Sequence, residues 1–525
     1  MHITFYGATQ EVTGSFHTLT TPRDTILLDC GLFQGRRREA EAKNRVLAVD
    51  PQILTNVVLS HAHIDHSGRL PMLPVNGFRG TIFCSRPTAR ACEYLLEDSA
   101  KIQEGDASYL NYKTAKNFLA KVKGGGGKHR LTKSDLRDIH SLLKSGNHGL
   151  KTEAIEKLLH QYHLEVVRPL YSPADVEAVL DHFQGIPYGE TVTIGHDLTC
   201  TFYVAGHILG SAMSVLQYQE GGRKKTVLYS GDVGRFDKPI IKDPTLDFAP
   251  EHREIDLLIM ESTYGNRLHD PVVAMKPLLK KVLLETFGRG GSLIIPAFAY
   301  GRTQEVIYYL HQLYLSGEVP AMPIWVDSPL ATKITAVFGE HPETYDQETH
   351  ADFLTQGINP FEFEQLRFVQ SVEESMALNR EKAPHVVIAG SGMCEGGRIL
   401  HHLRHKIHDQ RNTLLIVGFM AQHTFGRRLQ EKGEEYAAAG RQGPAPLVRF
   451  YNKDYPLRAE VVTLGGFSAH GDRDDMTRII KDSNLKIGKI ALVHGEIEQS
   501  EGFASHLRGL GFDVTVPRHG ESCLL

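Results

Sequence analysis

Residues 60–68, SHAHIDHSG, constrain this chain most, because they place three histidines and an aspartate within six positions. The apolar run NVVLS at residues 56–60 leads into them, so the side chains are predicted to lie where a buried strand ends. Imidazole and carboxylate suit Zn²⁺, and four ligands exceed what one tetrahedral ion takes from a single segment. The spacing predicts two metal ions, His61 and His63 on one and Asp65 and His66 on the other. The alternative is a solvated polar loop.

Other metal-capable residues also follow apolar runs. His207 stands after TFYVA in AGHILGSA, Asp232 stands in LYSGDVG, and His494 follows KIALV in ALVHGE. A carboxylate has two oxygens, so Asp232 is suited to bridge two ions. Taken singly, each residue is more typical of a hydrogen-bonded core histidine or of a turn. Taken together they complete two coordination shells.

Length and patterning predict an α/β protein with more than one domain. A chain of 525 residues exceeds what one hydrophobic core usually serves. Short apolar runs that resemble buried strands, such as GSLIIP, HVVIA and TLLIV, alternate with helical patterns such as RTQEVIYYLHQLYL. Residues 105–165 break this alternation with lysine-rich stretches around GGGG and no identifiable strand. This segment is predicted to be an inserted helical excursion or a flexible flap.

Composition narrows the class of protein. The apolar fraction of 41% and the charged fraction of 23% are ordinary for a soluble globular protein. The sequence has no run of about 20 apolar residues, so no membrane span is expected. Six scattered cysteines without a CxxC pair and the lack of a secretory signal predict a cytoplasmic protein with reduced thiols. The net charge is only −4, so a polyanion would need a local basic groove.

The motifs HAHIDHSG, AGHILGS, SGD, ESTYG, FSAHGD and LVHGE, in this order, resemble the metallo-β-lactamase superfamily. More narrowly, they resemble the β-CASP nucleases, which include the endonuclease of the cleavage and polyadenylation machinery and its bacterial and archaeal relatives. The resemblance implies an α/β fold, a metallo-β-lactamase αββα sandwich with an inserted α/β β-CASP domain. It places the first part of the sandwich at residues 1–265, the β-CASP domain at 266–457 and the C-terminal part of the sandwich at 458–525.

The resemblance also implies a role for each matching residue. It implies two Zn²⁺ ions per chain, one held by His61, His63 and His207, the other by Asp65, His66 and His494, with Asp232 and a hydroxide bridging them. Asp29 of LLDCG would orient a ligand histidine. Glu261 of ESTYG and His470 of FSAHGD would form an acid pair beyond the metals, and Asp65 counts among the catalytic residues as well. Without the resemblance, Glu261 is a helix-start carboxylate and His470 a surface loop residue.

The implied activity is a zinc-dependent ribonuclease. The metal-bridging hydroxide would hydrolyse phosphodiester bonds of single-stranded RNA and leave 5′-phosphate and 3′-hydroxyl ends. Two strand–loop–helix elements could hold phosphates, LIIPAFAYGRTQEV with Arg302 and VVIAGSGMCEGGRILHHL with Ser391, Gly392 and Arg398. The alternative is that both are ordinary α/β turns. The sequence leaves open endonuclease or 5′-exonuclease action, the role of His423, and the oligomeric state, a homodimer included.

Three other functions compete. A DNA nuclease of the same superfamily is disfavoured because that branch generally lacks a histidine where His494 stands. A catalytically inactive RNA-processing scaffold would have lost ligands, and here every implied ligand is present. A small-molecule hydrolase would not need the inserted domain.

Overall fold

The computed structural model describes residues 1–35, 37–123, 137, 139, 141–143, 151–355, 357–418 and 420–525. The glycine run at residues 124–127, singled out in the sequence, lies outside these ranges. None of the helices within them combines the length and the apolar character needed to cross a lipid bilayer.

Two seven-stranded sheets form the first part of the molecule. The first sheet has the strand order Glu521–Leu524, His2–Phe5, His17–Thr20, Thr25–Leu28, Asn56–Val58, Ile82–Ser85 and Phe183–Ile186. The second sheet has the order Val514–Thr515, Lys486–Val493, Glu254–Glu261, Arg223–Tyr229, Ala212–Glu220, Leu198–Val204 and Thr191–Gly195. The C-terminal strands therefore complete sheets that the N-terminal half began.

The two sheets pack face to face because each turns apolar side chains inward. Leu19 and Val58 of the first sheet share a buried cluster with Phe202 and Leu257 of the second. Helices Arg473–Asp482 and Ile497–Gly509 pack on the outer face of the second sheet, and Arg86–Lys123 and Pro173–Leu180 on that of the first. The predicted αββα sandwich is confirmed.

A six-stranded sheet forms the inserted domain. Its strand order is Leu366–Phe368, Ile324–Asp327, Val386–Ala389, Leu293–Pro296, Thr413–Ile416 and Glu460–Thr463, and all its pairings are parallel. The central strands are buried throughout, as expected of a parallel sheet with helices on both faces. One face carries the helices Met275–Gly288, Arg302–Leu315 and Pro329–Glu340; the other carries Val372–Arg380, Ile399–Lys406 and Phe425–Ala438. The expected inserted α/β domain is present.

Two boundary regions differ in detail from the simplest expectation. Strand Glu460–Thr463 pairs with Thr413–Ile416, so the inserted sheet continues past the predicted boundary at residue 457. Helix Arg86–Lys123 runs through residue 105, where the predicted excursion begins, and packs against Thr152–Gln161. The described part of that segment contains helix and no strand.

Candidate metal centre between the two domains

The seven predicted ligands follow strands of the sandwich, at ends that meet on one edge. Residues 61–66 follow strand Asn56–Val58, and three further ligands stand after strands Leu198–Val204, Arg223–Tyr229 and Lys486–Val493. Because these strands point the same way, their carboxyl ends converge. The structure brings together all seven predicted ligands: His61, His63, Asp65, His66, His207, Asp232 and His494.

Three histidines form the first cluster. His63 Nδ1 lies 3.2 Å from His61 Nε2 and 3.2 Å from His207 Nε2. One proton on His63 cannot satisfy both contacts, whereas nitrogens bound to one tetrahedral Zn²⁺ at about 2.0–2.1 Å lie roughly 3.3 Å apart. Burial lowers the pKa of His63 to about 4 and those of His61 and His207 well below their usual value, so all three are neutral, which is the ligand form.

Asp232 lies between this cluster and a second one. Its Oδ2 is 3.5 Å from His61 Nε2, and its Oδ1 is 3.2 Å from His66 Nε2 and 3.4 Å from His494 Nδ1. His66 Nε2 and His494 Nε2 are 3.1 Å apart, and Asp65 Oδ2 is 3.5 Å from the latter. Asp232 Oδ1 is buried without a hydrogen-bond partner among the described residues. One carboxylate oxygen therefore faces each cluster, as a bridging ligand requires.

Asp29 lies beneath the second cluster, fully buried. Its Oδ2 is 2.6 Å from His66 Nδ1, so that nitrogen donates to Asp29 and Nε2 is left to face the cluster. The backbone N–H and the hydroxyl of Ser60 and the hydroxyl of Tyr229 also donate to the Asp29 carboxylate. These contacts hold the His66 ring in one orientation and one tautomer.

Glu261 and His470 are adjacent beside Asp232, between the two clusters. His470 Nδ1 lies 3.0 Å from Glu261 Oε2 and 3.8 Å from Asp232 Oδ2. Burial lowers the pKa of His470, but the carboxylates of Glu261 and Asp232 outweigh that effect and raise it to about 9. Glu261 lies within ligand reach of Asp232 and His494, but its oxygens accept from Val233 N–H at 2.6 Å and from His470. It is therefore placed to hold His470.

The donor set fits divalent metal ions. Imidazole nitrogens and carboxylate oxygens converge in two groups, they are mostly buried, and Asp232 Oδ1 and His207 Nδ1 have no hydrogen-bond partner among the described residues. Isolated from an ion, such an arrangement would leave buried acceptors unsatisfied. A layered αββα fold with these ligands at its strand ends is that of a metal-dependent hydrolase.

The predicted substrate-binding residues lie at the carboxyl ends of strands of the inserted sheet, but they bond to their own domain. Arg302 is buried, and its Nη1 pairs with Glu305. Arg398 Nη1 donates to buried Asp327 at 2.6 Å. Ser391 Oγ accepts from Glu395 N–H at 3.1 Å, within its own loop. The structure therefore confirms none of the expected phosphate contacts.

Two residues at this interface had no signal in the sequence. Lys238 of the sandwich is buried, and its Nζ lies 3.1 Å from Glu305 Oε2 of the inserted domain. The Tyr300 hydroxyl of the inserted domain donates to the Leu209 carbonyl of the sandwich, and its ring centroid is 6.0 Å from that of His63. Both contacts join the domains beside the metal centre. Pattern reasoning missed them because each depends on a partner distant in sequence.

Comparison with known proteins agrees with the architecture. The metallo-β-lactamase superfamily model matches residues 16–92, the Beta-Casp domain model matches 303–429, and the model of the Zn-dependent metallo-hydrolase RNA specificity domain matches 454–517. A crystal structure of a protein of unknown function from Enterococcus faecalis covers 100% of this chain with a TM-score of 0.50 at 13% identity, a likeness of fold alone.

Related proteins are also found by sequence. The chain is 34% identical over 523 residues to Ribonuclease TTHA0252 of Thermus thermophilus, covering 99% of each protein. It is 28% identical to the RNase J-like protein of Methanocaldococcus jannaschii, covering 98% of each. It is 28% identical to transcription termination factor FttA of Methanosarcina mazei, covering 96% of this chain and 68% of that protein. The chain therefore belongs to the β-CASP family of the metallo-β-lactamase superfamily.

Proposed function

We propose that this chain is a ribonuclease that binds two Zn²⁺ ions and hydrolyses single-stranded RNA to 5′-phosphate and 3′-hydroxyl ends. The observation that carries the proposal is the placement of His470, whose Nδ1 is bonded to Glu261 while Asp232 of the metal centre lies 3.8 Å away. A proton donor beside two metal clusters is what cleavage of a phosphodiester needs.

The ligand assignments form part of the proposal. His61, His63 and His207 would hold one ion and Asp65, His66 and His494 the other, with Asp232 between them. When bound, the two ions would supply a water of lowered pKa and stabilise the charge that develops at phosphorus. Asp29 would keep His66 Nε2 directed at its ion by accepting from Nδ1.

His470 would act on the leaving group. As the water oxygen bonds to phosphorus, the bond between phosphorus and the 3′ oxygen breaks, and that oxygen needs a proton. The His470 side chain is 21% exposed, and with Nδ1 bonded to Glu261 its Nε2 is the nitrogen available to an RNA oxygen. Glu261 would stabilise the charged imidazole before the transfer.

RNA would lie between the metal centre and the strand ends of the inserted domain. Arg302, Ser391, Gly392 and Arg398 would line this cleft, where loop N–H groups and helix starts favour phosphate. The names of the relatives support RNA as the polymer, since ribonucleases are among them.

The decisive test is a digest of end-labelled single-stranded RNA and of DNA of the same sequence at one stated salt concentration. We expect the RNA to be cut much faster than the DNA, a chelator to stop the reaction, and added Zn²⁺ to restore it. The product ends should carry 5′-phosphate, detected by ligation. Equal rates on both polymers would support the DNA nuclease, and binding without cleavage would support the inactive scaffold.

A further inference from the structure

Phe298 is an exposed aromatic residue on the loop that follows strand Leu293–Pro296. The residue is 40% exposed, whereas Ala297 and Tyr300 on the same loop are buried. The loop lies at the carboxyl end of a central parallel strand, the edge where α/β sheets bind ligands. The ring is thus an exposed apolar surface at this edge of the sheet and not a member of the core.

The Phe298 ring is nevertheless held in place. The Thr303 hydroxyl donates to the Phe298 carbonyl at 2.8 Å and fixes the backbone. A Cβ built on Gly392 would lie 2.8 Å from ring atom Cδ2, so one side of the ring rests against that glycine. A Cβ on Gly418, on the next loop, would lie 3.9 Å from Cε2. Loops after three neighbouring strands therefore position one exposed ring.

The same loop connects this ring to the metal centre. The Tyr300 hydroxyl donates to the Leu209 carbonyl, two residues after the predicted ligand His207, and the Tyr300 ring lies 6.0 Å from that of His63. Two residues of chain span at most about 7 Å, so Phe298 cannot be far from Tyr300. Phe298 is therefore carried on a loop that contacts the sandwich beside the candidate metal centre.

We propose that Phe298 is a platform on which one nucleobase of the substrate stacks. This proposal rests on the proposed function and adds a positioning residue to it. Nucleobases stack on exposed aromatic rings whatever the base, because each base has a π face. Stacking involves the base and not the sugar, so Phe298 would contribute equally to the binding of RNA and of DNA. Discrimination between the polymers would lie elsewhere in the cleft.

The test is an abasic walk, in which a single abasic nucleotide is moved along a labelled RNA. Binding is measured by fluorescence anisotropy on the zinc-loaded protein in a His470→Ala background, where cleavage is slow. Phe298→Ala should weaken binding by about 10-fold, the order expected for one stacked base. One abasic position should weaken binding to the Phe298-containing protein by the same factor and have no further effect on Phe298→Ala.

Variants separate stacking from bulk and from folding. Phe298→Trp should bind as tightly as the parent, and Phe298→Leu should bind nearly as weakly as Phe298→Ala because it keeps volume without an aromatic face. Leu315→Ala, which removes an exposed apolar side chain (60% exposed) at the far end of helix Arg302–Leu315, is the matched control and should change nothing. With His470 intact, Phe298→Ala should raise KM and leave kcat nearly unchanged.

The outcomes distinguish the two proposals. If no abasic position loses its effect in Phe298→Ala, or if Phe298→Leu binds as tightly as the parent, the platform is wrong. That result leaves the ribonuclease proposal standing if the parent protein cuts RNA. The converse result is that one abasic position weakens binding only when Phe298 is present, while the parent protein with His470 intact cuts neither RNA nor DNA. That result would support the platform and contradict the ribonuclease proposal.

Discussion

At the candidate metal centre, side chains from four segments of the sandwich turn their predicted ligand atoms towards shared points. At the facing edge of the inserted domain, the predicted phosphate-binding side chains bond to their own chain instead, Arg302 to Glu305 and Arg398 to Asp327. At the first site, nitrogens such as His63 Nδ1 and His207 Nε2 lie 3.2 Å apart, a separation that suits two ligands of one cation. At the second, ion pairs already satisfy the charges.

The candidate metal centre and the proposed RNA-binding surface place different physical demands on their residues. Metal ligands must be buried and rigid, because small displacements cost affinity for the ion. A charged residue that is already paired must release its partner within the protein before it can contact RNA. It therefore contributes to binding only the difference in free energy between its contact with RNA and its contact with that partner. The predictions below test that contrast, and they run from the largest expected effect to the smallest.

Asp232→Ala should lose most of both metal ions and lower the cleavage rate by about 10⁴-fold or more, because two ions contribute several kcal/mol to such reactions. Elemental analysis of the purified variant measures the ions. Asp256→Ala is the control, since that carboxylate pairs with Lys225 near the surface at 3.2 Å, away from the ligands. Retention of two ions by Asp232→Ala would contradict the bridging role.

His470→Ala should keep both ions and bind RNA nearly as before, but its rate should fall by ~10²–10⁴, the usual contribution of a positioned acid. An RNA with a 3′-bridging sulfur at the scissile bond has a leaving group that needs no proton, so it should recover much of the loss. His494→Ala should lose an ion and stay slow on both substrates. Equal rescue of the two variants would overturn the division into acid and ligand.

Glu261→Gln should lower the rate more mildly, by a fraction of the ~10²–10⁴ expected for the acid itself. Glu261 and Asp232 raise the pKa of His470 to about 9 against the effect of burial. A protonated donor is required, so activity should persist at neutral pH and fall as the pH rises through that pKa. Without the Glu261 charge the pKa falls, and the decline should begin at lower pH. An unmoved profile in single-turnover assays would exclude this role.

Arg398→Ala and Asp327→Asn form a pair with the smallest effects. If Arg398 contacts a phosphate, Arg398→Ala should weaken RNA binding for all sequences and reduce the slope of log affinity against log salt by about 1. Asp327→Asn weakens a buried acceptor of Ser375, Arg398 and His402. It should lower the free energy of unfolding by about 1–3 kcal/mol.

Salt titrations of RNA binding measure the effect of Arg398→Ala, and thermal melts measure the effect of Asp327→Asn on stability. An unchanged salt slope in Arg398→Ala would make the role of Arg398 purely structural.

The convergence of the candidate metal ligands could be predicted from the sequence because their spacing is local. His61 to His66 follow one apolar run within a single turn, and His207, Asp232 and His494 each follow another run. A strand end fixes the direction of the few residues after it, so short motifs carry most of this geometry. Parallel strands that are buried on both faces appear in the sequence as continuous apolar runs. These runs, alternating with helical patterns, predict the α/β architecture.

Local sequence patterns do not indicate the role of a residue whose partner lies far away in the sequence. Glu261 and His470 stand 209 positions apart, and only the resemblance to a family indicated that they pair. Nothing local marks Lys238 as the partner of Glu305, or Phe298 as the aromatic residue of its loop that stays exposed while Tyr300 is buried. Exposure and ion pairing are set by how two domains pack against each other, and the packing of many weak apolar contacts leaves no periodic trace in the sequence.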